Sequence, residues 1–149
     1  MTININYTML IKQLSIFLEN KKGRFTEVTT ILGDAGINMT AFTVAENSDF
    51  GIVRLLVSDP EKARNVLRDN KYAVSVTDVL CVQTPNEPGA LSKVMDIITQ
   101  ADISIEYMYA FSLGKGAVVV IRPDDLDKAV SVLSENKVAL LASGDLFAL

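Results

Sequence analysis

Hydrophobic and polar residues alternate along the chain with two periods that follow one another in a fixed order. Residues 11–18 carry apolar side chains at nearly every second position, which predicts a strand. From Phe25 to Ala35 the apolar side chains recur at helical spacing, and Gly36 is expected to end this helix in a left-handed conformation. The next two strands are predicted over residues 37–45 and 51–58.

A second helix and a second set of elements complete this pattern. Asp59 is expected to cap the helix with Pro60 at its first position, and Asn70 is expected to end it. The same order then recurs as a strand over 78–84, a helix over 89–101, strands over 103–112 and 117–122, and a helix over 125–135.

The recurrence is an internal repeat with an offset of 66 residues. Asn20 and Gly23 align without a gap with Asn86 and Gly89, and both halves share a helix end of the form Leu-x-x-Asn-Lys. Each copy has the order βαββαβ, the split βαβ unit of ferredoxin-like folds. The predicted fold class is therefore α+β, with two ferredoxin-like units whose antiparallel sheets carry helices on one face.

The two units are expected at residues 9–76 and 77–149. Only about a dozen residues, 72–83, separate the second helix of one copy from the first helix of the next, and they must supply a strand to each. At a further offset of 66, residues 143–149 align with 77–83. A C-terminal strand is therefore predicted over 145–149, and the first unit is a candidate partner for it.

Composition narrows the range of functions. Apolar residues make up 49% and charged residues 21%, and the net charge is −4, which argues against a nucleic-acid surface. The absence of histidine removes Ser-His-Asp and Cys-His catalysis and most zinc sites, and the single cysteine, Cys81, excludes an internal disulfide. No apolar run is long enough to span a membrane, and the polar residues 1–8 do not resemble a signal peptide. We expect a cytoplasmic protein with no catalytic site, metal or cofactor.

Three smaller groups of side chains have simpler explanations than a site. The aspartates of residues 124–127 lack the Gly and Glu positions of an EF-hand loop, so a capped helix start explains them better than calcium. Alternating aromatic residues in the strand over 103–112 could stack RNA bases, but the acidic charge opposes this. Cys81 lies in an apolar strand and is expected to be buried.

Each strand-to-helix turn places a glycine, Gly23 or Gly89, at the start of a helix. A helix start presents free backbone N–H groups and partial positive charge, which suit a carboxylate, and glycine lets a ligand approach the backbone. A glycine that only turns the chain is the simpler alternative.

These residues resemble the ACT domain, a small amino-acid-sensing module. The second copy carries the run Asn86-x-Pro88-Gly89-x-Leu91, and the first copy carries the helix exit Ala35-Gly36-Ile37-Asn38-Met39. The resemblance covers residues 9–149. The first copy has Lys22 in place of the proline, and the second has Asp102-Ile103-Ser104 in place of Gly-Ile-Asn, so the two sites are not identical.

The resemblance implies that a free amino acid sits where two ACT units meet, held by the first turn and by residues entering the second strand. Gly23 and Gly89 would receive the carboxylate, the Asn38 amide oxygen could accept from the ammonium, and Arg24 could bind the carboxylate, although a solvated arginine is the simpler alternative. The implied ligand-binding residues are Asn20, Lys22, Gly23, Arg24, Phe25, Ile37, Asn38 and Met39 in the first copy, and Asn86, Glu87, Pro88, Gly89, Ala90, Leu91, Ile103, Ser104 and Ile105 in the second.

The resulting hypothesis is a non-catalytic sensor that binds a free amino acid and regulates a partner enzyme or regulator in another chain. One alternative is the regulatory small subunit of an amino-acid biosynthetic enzyme, such as that of acetolactate synthase. Another is a structural interaction module without a ligand.

A homodimer is expected from the strands. Residues 79–82 and 117–121 are apolar on both faces, and Phe42 and Met108 are placed by simple alternation on the face that no helix covers. Such a face would be an exposed apolar patch, so the helix-free faces are expected to pack on one another within the chain or in a dimer.

Overall fold

The computed structural model of the protein describes residues 9–19, 21–46 and 49–147. The strands of this part of the chain are β1 (Ile11–Glu19), β2 (Met39–Glu46), β3 (Phe50–Val57), β4 (Ala73–Pro85), β5 (Ile105–Leu113), β6 (Gly116–Pro123) and β7 (Ala139–Leu140). The helices are α1 (Arg24–Asp34), α2 (Pro60–Asp69), α3 (Ala90–Gln100), α4 (Leu126–Glu135) and α5 (Ser143–Phe147).

Two compact units divide these elements. The first spans Lys12–Thr77, and the second combines residues 9–11 with residues 78–147. The boundary falls inside β4, which gives its first five residues to one unit and the remainder to the other.

The first unit is an antiparallel sheet covered by α1 and α2. Its strand order is β2-β3-β1, and β1 also neighbours β4. In the register, Leu14 lies opposite Leu55 and Val44 lies opposite Val53. The core between helices and sheet is formed by Leu14, Ile16, Leu18, Val28, Leu32, Ile37, Val53, Leu55, Val57, Ala63, Leu67 and Val74. The helical period places Val28 and Leu32 on one face of α1, so burying that face holds the helix on the sheet.

The second unit repeats this arrangement with the order β5-β6-β4, and β7 pairs with β4 on its other side. Its core contains Leu80, Val82, Val94, Ile98, Ile103, Val119, Ile121, Ala129, Val130 and Leu133, and Met9 and Leu10 pack against it. The predicted α+β class with two βαββαβ units is confirmed.

The helix starts follow the sequence prediction. The Asp59 carboxylate accepts a hydrogen bond from the Lys62 N–H at 3.1 Å, with Pro60 at the first helical position. The Asp125 carboxylate accepts from the Lys128 N–H at 3.0 Å in the same way. Helix capping therefore explains this aspartate, and no group of three or more possible metal ligands occurs in the part of the chain that the structure describes.

The predicted C-terminal strand over 145–149 is wrong. Residues 143–147 form the helix α5, whose turn is closed by hydrogen bonds from the Asp145 and Leu146 N–H groups to the Ala142 carbonyl. Leu146 is fully buried, and Gly144 and Asp145 belong to residue types that strands disfavour. The unit's last strand is instead β7, where Leu140 lies opposite Val82. Residues 148 and 149 lie outside the described residues.

Two register shifts correct the predicted faces of Phe42 and Met108. The pairing shifts between Met39 and Ala41 in β2, and between Ile105 and Tyr107 in β5. Each irregularity adds one residue, and an added residue reverses the inward and outward alternation beyond it. Phe42 consequently lies opposite the core residue Leu55, and Met108 lies opposite the core residue Ile121, on the faces that the helices cover.

The apolar residues of β4 and β6 expected on the helix-free faces are buried in the single chain, and packing within the chain is one of the two alternatives predicted for them. Val79, Cys81, Val118 and Val120 have no solvent-exposed surface in this single chain. These side chains therefore cannot provide the face of a homodimer.

Candidate functional site

The two glycines of the strand-to-helix turns occupy equivalent positions. Gly23 precedes the first residue of α1 with a φ of +88°, and Gly89 precedes the first residue of α3 with a φ of +84°. A Cβ at either position would meet no atom within 4 Å. The left-handed backbone, rather than crowding, is therefore what these turns require of glycine.

The N-cap glycines of the two turns give the helix N–H groups no side-chain cap. Arg24 and Ala90 donate their N–H groups to the carbonyls of Lys21 and Glu87, three residues earlier. A glycine before the helix has no side chain to accept from the next N–H groups, whereas Asp59 provides such an acceptor at α2. Each turn thus presents N–H donors and partial positive charge, a combination that suits a carboxylate.

The first turn carries a network of ion pairs. Lys21 Nζ lies 2.9 Å from Glu19 Oε2, and the Arg24 guanidinium lies 3.4 Å from Glu27 and 3.9 Å from Glu19. The hydrogen bond from Lys21 holds the pKa of the Glu19 carboxyl below its usual value, and the charges of Lys21 and Arg24 act in the same direction. These side chains are 38–65% exposed, so their pairs are weak and can exchange partners.

The starts of the second strands are held by hydrogen bonds. Asn38 donates its N–H to Ser58 Oγ at 3.0 Å and accepts from the Ser58 N–H at 2.9 Å. Ser104 makes the equivalent pair with Asp124, at 3.1 and 2.9 Å. The backbone groups of Asn38 and Ser104 are therefore occupied, and any ligand there would meet side chains.

The two halves of each expected site lie at opposite ends of one unit. Glu19 at the end of β1 is opposite Phe50, whereas Met39 at the start of β2 is opposite Val57. Seven residues of β3 separate these points, a distance of about 23 Å at about 3.3 Å per residue. Pro85 and Ile105 are separated in the same way along β6.

The predicted residues accordingly fall into groups. Lys22, Gly23, Arg24 and Phe25 share one end of the first unit, and Ile37, Asn38 and Met39 share the other. In the second unit, Asn86, Glu87, Pro88, Gly89, Ala90 and Leu91 are separated in the same way from Ile103, Ser104 and Ile105. Asn20 lies outside the described residues.

A cleft beside the first turn was not predicted from the sequence. Its volume is about 400 Å³, and it is lined by residues 17–19, Arg24, Glu27, Phe50 and residues 70–73. We call it the Tyr72 cleft. This volume lies within the range of about 300–1,000 Å³ that is usual for small-molecule sites.

The second unit has an equivalent cleft of about 310 Å³, which we call the Val138 cleft. Eight of its ten lining positions are related to those of the Tyr72 cleft by the 66-residue offset. The feature of the sequence that could have indicated these clefts is the repeated Asn-Lys helix end. Lys71 and Lys137 adopt positive φ angles of 68° and 59° there and bring the chain back towards the strand-to-helix turn.

Tyr72 has a buried hydroxyl. The Glu27 carboxylate and the Arg24 guanidinium interact with its Oη atom. Burial raises the pKa of the phenol, the hydrogen bond and the charge of the Glu27 carboxylate add to this rise, and Arg24 acts in the opposite direction. The hydroxyl is therefore a neutral donor in the wall of the cleft.

Cys81 is remote from this chemistry. Its thiol is buried in β4, and burial raises its pKa to about 12. A thiol that stays protonated is a poor nucleophile, in keeping with a packing role. Nor does any helix among the described residues combine the length and the apolar character that a membrane crossing would need.

The repeat, the two βαββαβ units and the matched glycine turns together define a tandem ferredoxin-like module. A family model described as an ACT domain pair matches residues 9–149. The chain belongs to this family: it is an ACT domain pair, as the resemblance predicted.

Solved structures share this fold. Protein BT0572 from Bacteroides thetaiotaomicron is 54% identical, with a TM-score of 0.91 over 95% of this chain and 98% of that one. The ligand-free regulatory subunit of aspartate kinase from Thermus thermophilus is 12% identical, with a TM-score of 0.61 over 85% of this chain and 92% of that one. The corresponding subunit from Thermus flavus is 14% identical, with a TM-score of 0.60 over 83% and 90%. At these low identities the two kinase subunits show the fold alone. A search of curated proteins found no match.

Proposed function

We propose that this ACT domain pair binds a free amino acid at its glycine turns and regulates a partner enzyme or regulator allosterically. The observation that carries the proposal is the matched pair of turns, each with a left-handed glycine before a helix and no side-chain cap from that glycine. A carboxylate is the ligand group that such a helix start favours. A non-catalytic role is part of the proposal, since ACT domain pairs are regulatory modules.

The second half of each proposed site must come from another unit. Within one unit the turn and the start of the second strand are about 23 Å apart, too far for one amino acid to bridge. We therefore expect Asn38 and Ser104 to serve a ligand that is held by the turn of a different unit, in the same chain or in a second copy. A ligand seated in this way stabilises one arrangement of units, and a partner in another chain reads that arrangement.

A structural module without a ligand is the second candidate. The positive φ angles of Gly23 and Gly89 favour it, because a turn of this shape needs glycine whether or not a ligand binds. A regulatory small subunit of an amino-acid biosynthetic enzyme is one version of the amino-acid-binding regulator. In that version the regulated partner is the biosynthetic enzyme.

Thermal unfolding in the presence of each of the twenty L-amino acids tests the proposal. A ligand that binds only the folded chain raises the melting temperature, and a concentration of about 100 Kd adds about 2.7 kcal/mol to the free energy of unfolding. The matching D-amino acid serves as the control for a solvent effect. If none of the twenty raises the melting temperature at millimolar concentration, the structural module is the better reading.

We also propose a homodimer, through a surface other than the one expected from the sequence. Phe42 and Val44 are 54% and 50% exposed on β2, the last strand in the order of the first unit. An apolar terminal strand is suited to pairing with a second copy. Light scattering at micromolar concentration should give about twice 16.2 kDa, and Val44→Lys should return the monomer mass. A mass of about 16.2 kDa for the unaltered chain would contradict the proposed homodimer.

A further inference from the structure

We propose that Tyr72 couples the first strand-to-helix turn to β4, the strand that both units share, so that a change at Arg24 reaches the second unit along that strand. The proposal deepens the proposed function and rests on it for its regulatory meaning, because a sensor must pass the state of its ligand site to the rest of the chain. Tyr72 is a positioning residue in this device, since it acts through its neighbours.

The Tyr72 hydroxyl belongs to the ion-pair network of the first turn. The Arg24 guanidinium lies 3.4 Å from the Glu27 carboxylate, and both groups interact with the hydroxyl. All three side chains line the Tyr72 cleft. A change in the partners of Arg24 therefore changes the surroundings of the phenol.

The backbone of Tyr72 lies directly before β4. The strand begins at Ala73, and Tyr72 and Val76 pack against the core of the first unit, which contains Val74. The Arg68 guanidinium donates a hydrogen bond to the Val74 carbonyl at 3.1 Å. The first part of β4 is thus fixed to the unit that contains the turn.

The remainder of β4 is held in the same way by the second unit. The strand is thirteen residues long and passes into the second unit after Thr77. There the Arg122 guanidinium donates a hydrogen bond to the Asp78 carbonyl at 2.7 Å, and Leu80 and Val82 belong to the second core. Because β4 is one continuous extended element, a displacement at its start can reach the residues beyond the boundary.

The ion pairs of the network can exchange partners. Arg24, Glu27 and Glu19 are all partly exposed, and ion pairs of this kind contribute little free energy. A ligand carboxylate at the Gly23 turn would offer Arg24 a stronger, charge-assisted partner. Arg24 would then leave Glu27 and the phenol, and the residues at the start of β4 would lose their link to the turn.

The second unit lacks the network, although it has the same fold. At the 66-residue offset, the equivalents of Arg24, Glu27 and Tyr72 are Ala90, Lys93 and Val138. The fold of a unit therefore does not require the three side chains. β7, which follows Val138, is two residues long, whereas the strand that follows Tyr72 continues into another unit. The network accompanies the strand that leads into a second unit, which favours coupling over a purely structural role.

Amide hydrogen exchange of the full chain, resolved by residue in NMR spectra, tests the coupling without any ligand. Arg24→Ala gives the turn the residue of the second unit, and exchange at residues 78–84 should become about two- to fivefold faster. In a chain that carries Tyr72→Phe, the further change Arg24→Ala should leave exchange at residues 78–84 unaltered, because the hydroxyl that carries the effect is missing.

Two controls separate this coupling from a general loss of stability. Thr30→Ala removes another hydroxyl of α1, which donates to the Thr26 carbonyl at 2.9 Å, and should not change exchange at residues 78–84. Exchange in β5, which pairs with β6 and is not a neighbour of β4, reports opening of the whole second unit and should stay the same in every variant.

Three results would overturn the inference. The first is an effect of Arg24→Ala that is absent or that ends at Thr77. The second is an effect of equal size with and without the Tyr72 hydroxyl, and the third is an equal change in β5.

The exchange experiment and the thermal screen fail independently of each other. If none of the twenty amino acids raises the melting temperature, the proposed function fails, while exchange at residues 78–84 still decides whether Tyr72 couples the turn to β4. If an amino acid binds but Tyr72→Phe leaves the effect of Arg24→Ala unaltered, only the coupling fails.

Discussion

The backbone of Asn38 is joined to Ser58 by two hydrogen bonds, and the same two bonds join Ser104 to Asp124 at the equivalent positions of the second unit. In both units a side-chain oxygen at the start of the second helix accepts the N–H at the start of the second strand. The acceptor is a hydroxyl in one unit and a carboxylate in the other. The bond is therefore a shared structural feature, although the residues that make it differ.

Removing that acceptor should destabilise either unit. Ser58→Ala and Asp124→Ala each leave a backbone N–H without its partner, and we expect a loss of about 0.5–1.5 kcal/mol in the free energy of unfolding. Urea unfolding measures the change. Ser131→Ala, on the exposed side of α4, removes a hydroxyl without this bond and should not lower stability. An equal loss of unfolding free energy in Ser131→Ala would show that the hydrogen bond makes no specific contribution to stability.

The helix caps predict a second effect. Asp59 and Asp125 each accept from the N–H three residues later, so Asp59→Ala and Asp125→Ala should each cost about 1 kcal/mol. Thermal or urea unfolding gives the value. Asp96→Ala, in the middle of α3, removes a carboxylate that caps no helix and is the matched control. Equal losses at all three positions would argue against capping.

The turn glycines predict a contrast with a third glycine. Gly23→Ala and Gly89→Ala force a side chain into a left-handed backbone and should cost about 1–2 kcal/mol. Gly33→Ala lies inside α1, where a Cβ meets nothing within 4 Å, and should instead stabilise by about 0.5–1 kcal/mol. Urea unfolding of the three variants without ligand measures the loss of stability at Gly23 and Gly89 and the gain at Gly33.

The same angles affect the choice of ligand-binding variants. A valine at Gly89 would be strained by the positive φ and would lower stability as well as block the backbone. Gly89→Asn is better suited to a binding test, because asparagine tolerates the left-handed region. Similar stability of the asparagine and valine variants would contradict the role assigned to φ.

Cys81 predicts a pH dependence. Burial raises the pKa of its thiol from 9.0 to about 12, so between these values the unfolded chain has released a proton that the folded chain still holds. The free energy of unfolding should therefore fall as the pH rises from about 9 towards about 12. Urea unfolding at several pH values should show a steeper fall for the unaltered chain than for Cys81→Ala. Parallel curves would mean that the thiol is not protected.

Much of the local structure follows from the sequence alone. The 66-residue repeat, the βαββαβ order, the caps at Asp59 and Asp125 and the left-handed Gly36, with a φ of 72°, all depend on residues close together in the chain. Periodicity and capping are local properties, so a single sequence carries them directly. Gly23 and Gly89 at the two turns are also predicted from local sequence, because each lies directly before a helix start.

Only the tertiary structure decided the faces of the strands and the identity of the last one. Phe42 and Met108 turn towards the helices because of register shifts in β2 and β5, and such a shift depends on the partner strand. Ala139–Leu140 pairs with β4, and residues 143–147 form a helix. The alignment of residues 143–149 with 77–83 predicted a strand there instead, because sequence similarity does not record which strand is available for pairing.

The candidate ligand site was also predicted only in part from the sequence. The sequence predicted the turns, but it grouped each turn with the second-strand start, which antiparallel pairing places at the other end of the unit. The cleft instead joins Glu19 and Arg24 to Tyr72, about fifty residues further along the chain. Which chain ends meet is set by strand direction and helix crossover, and no local pattern records that geometry.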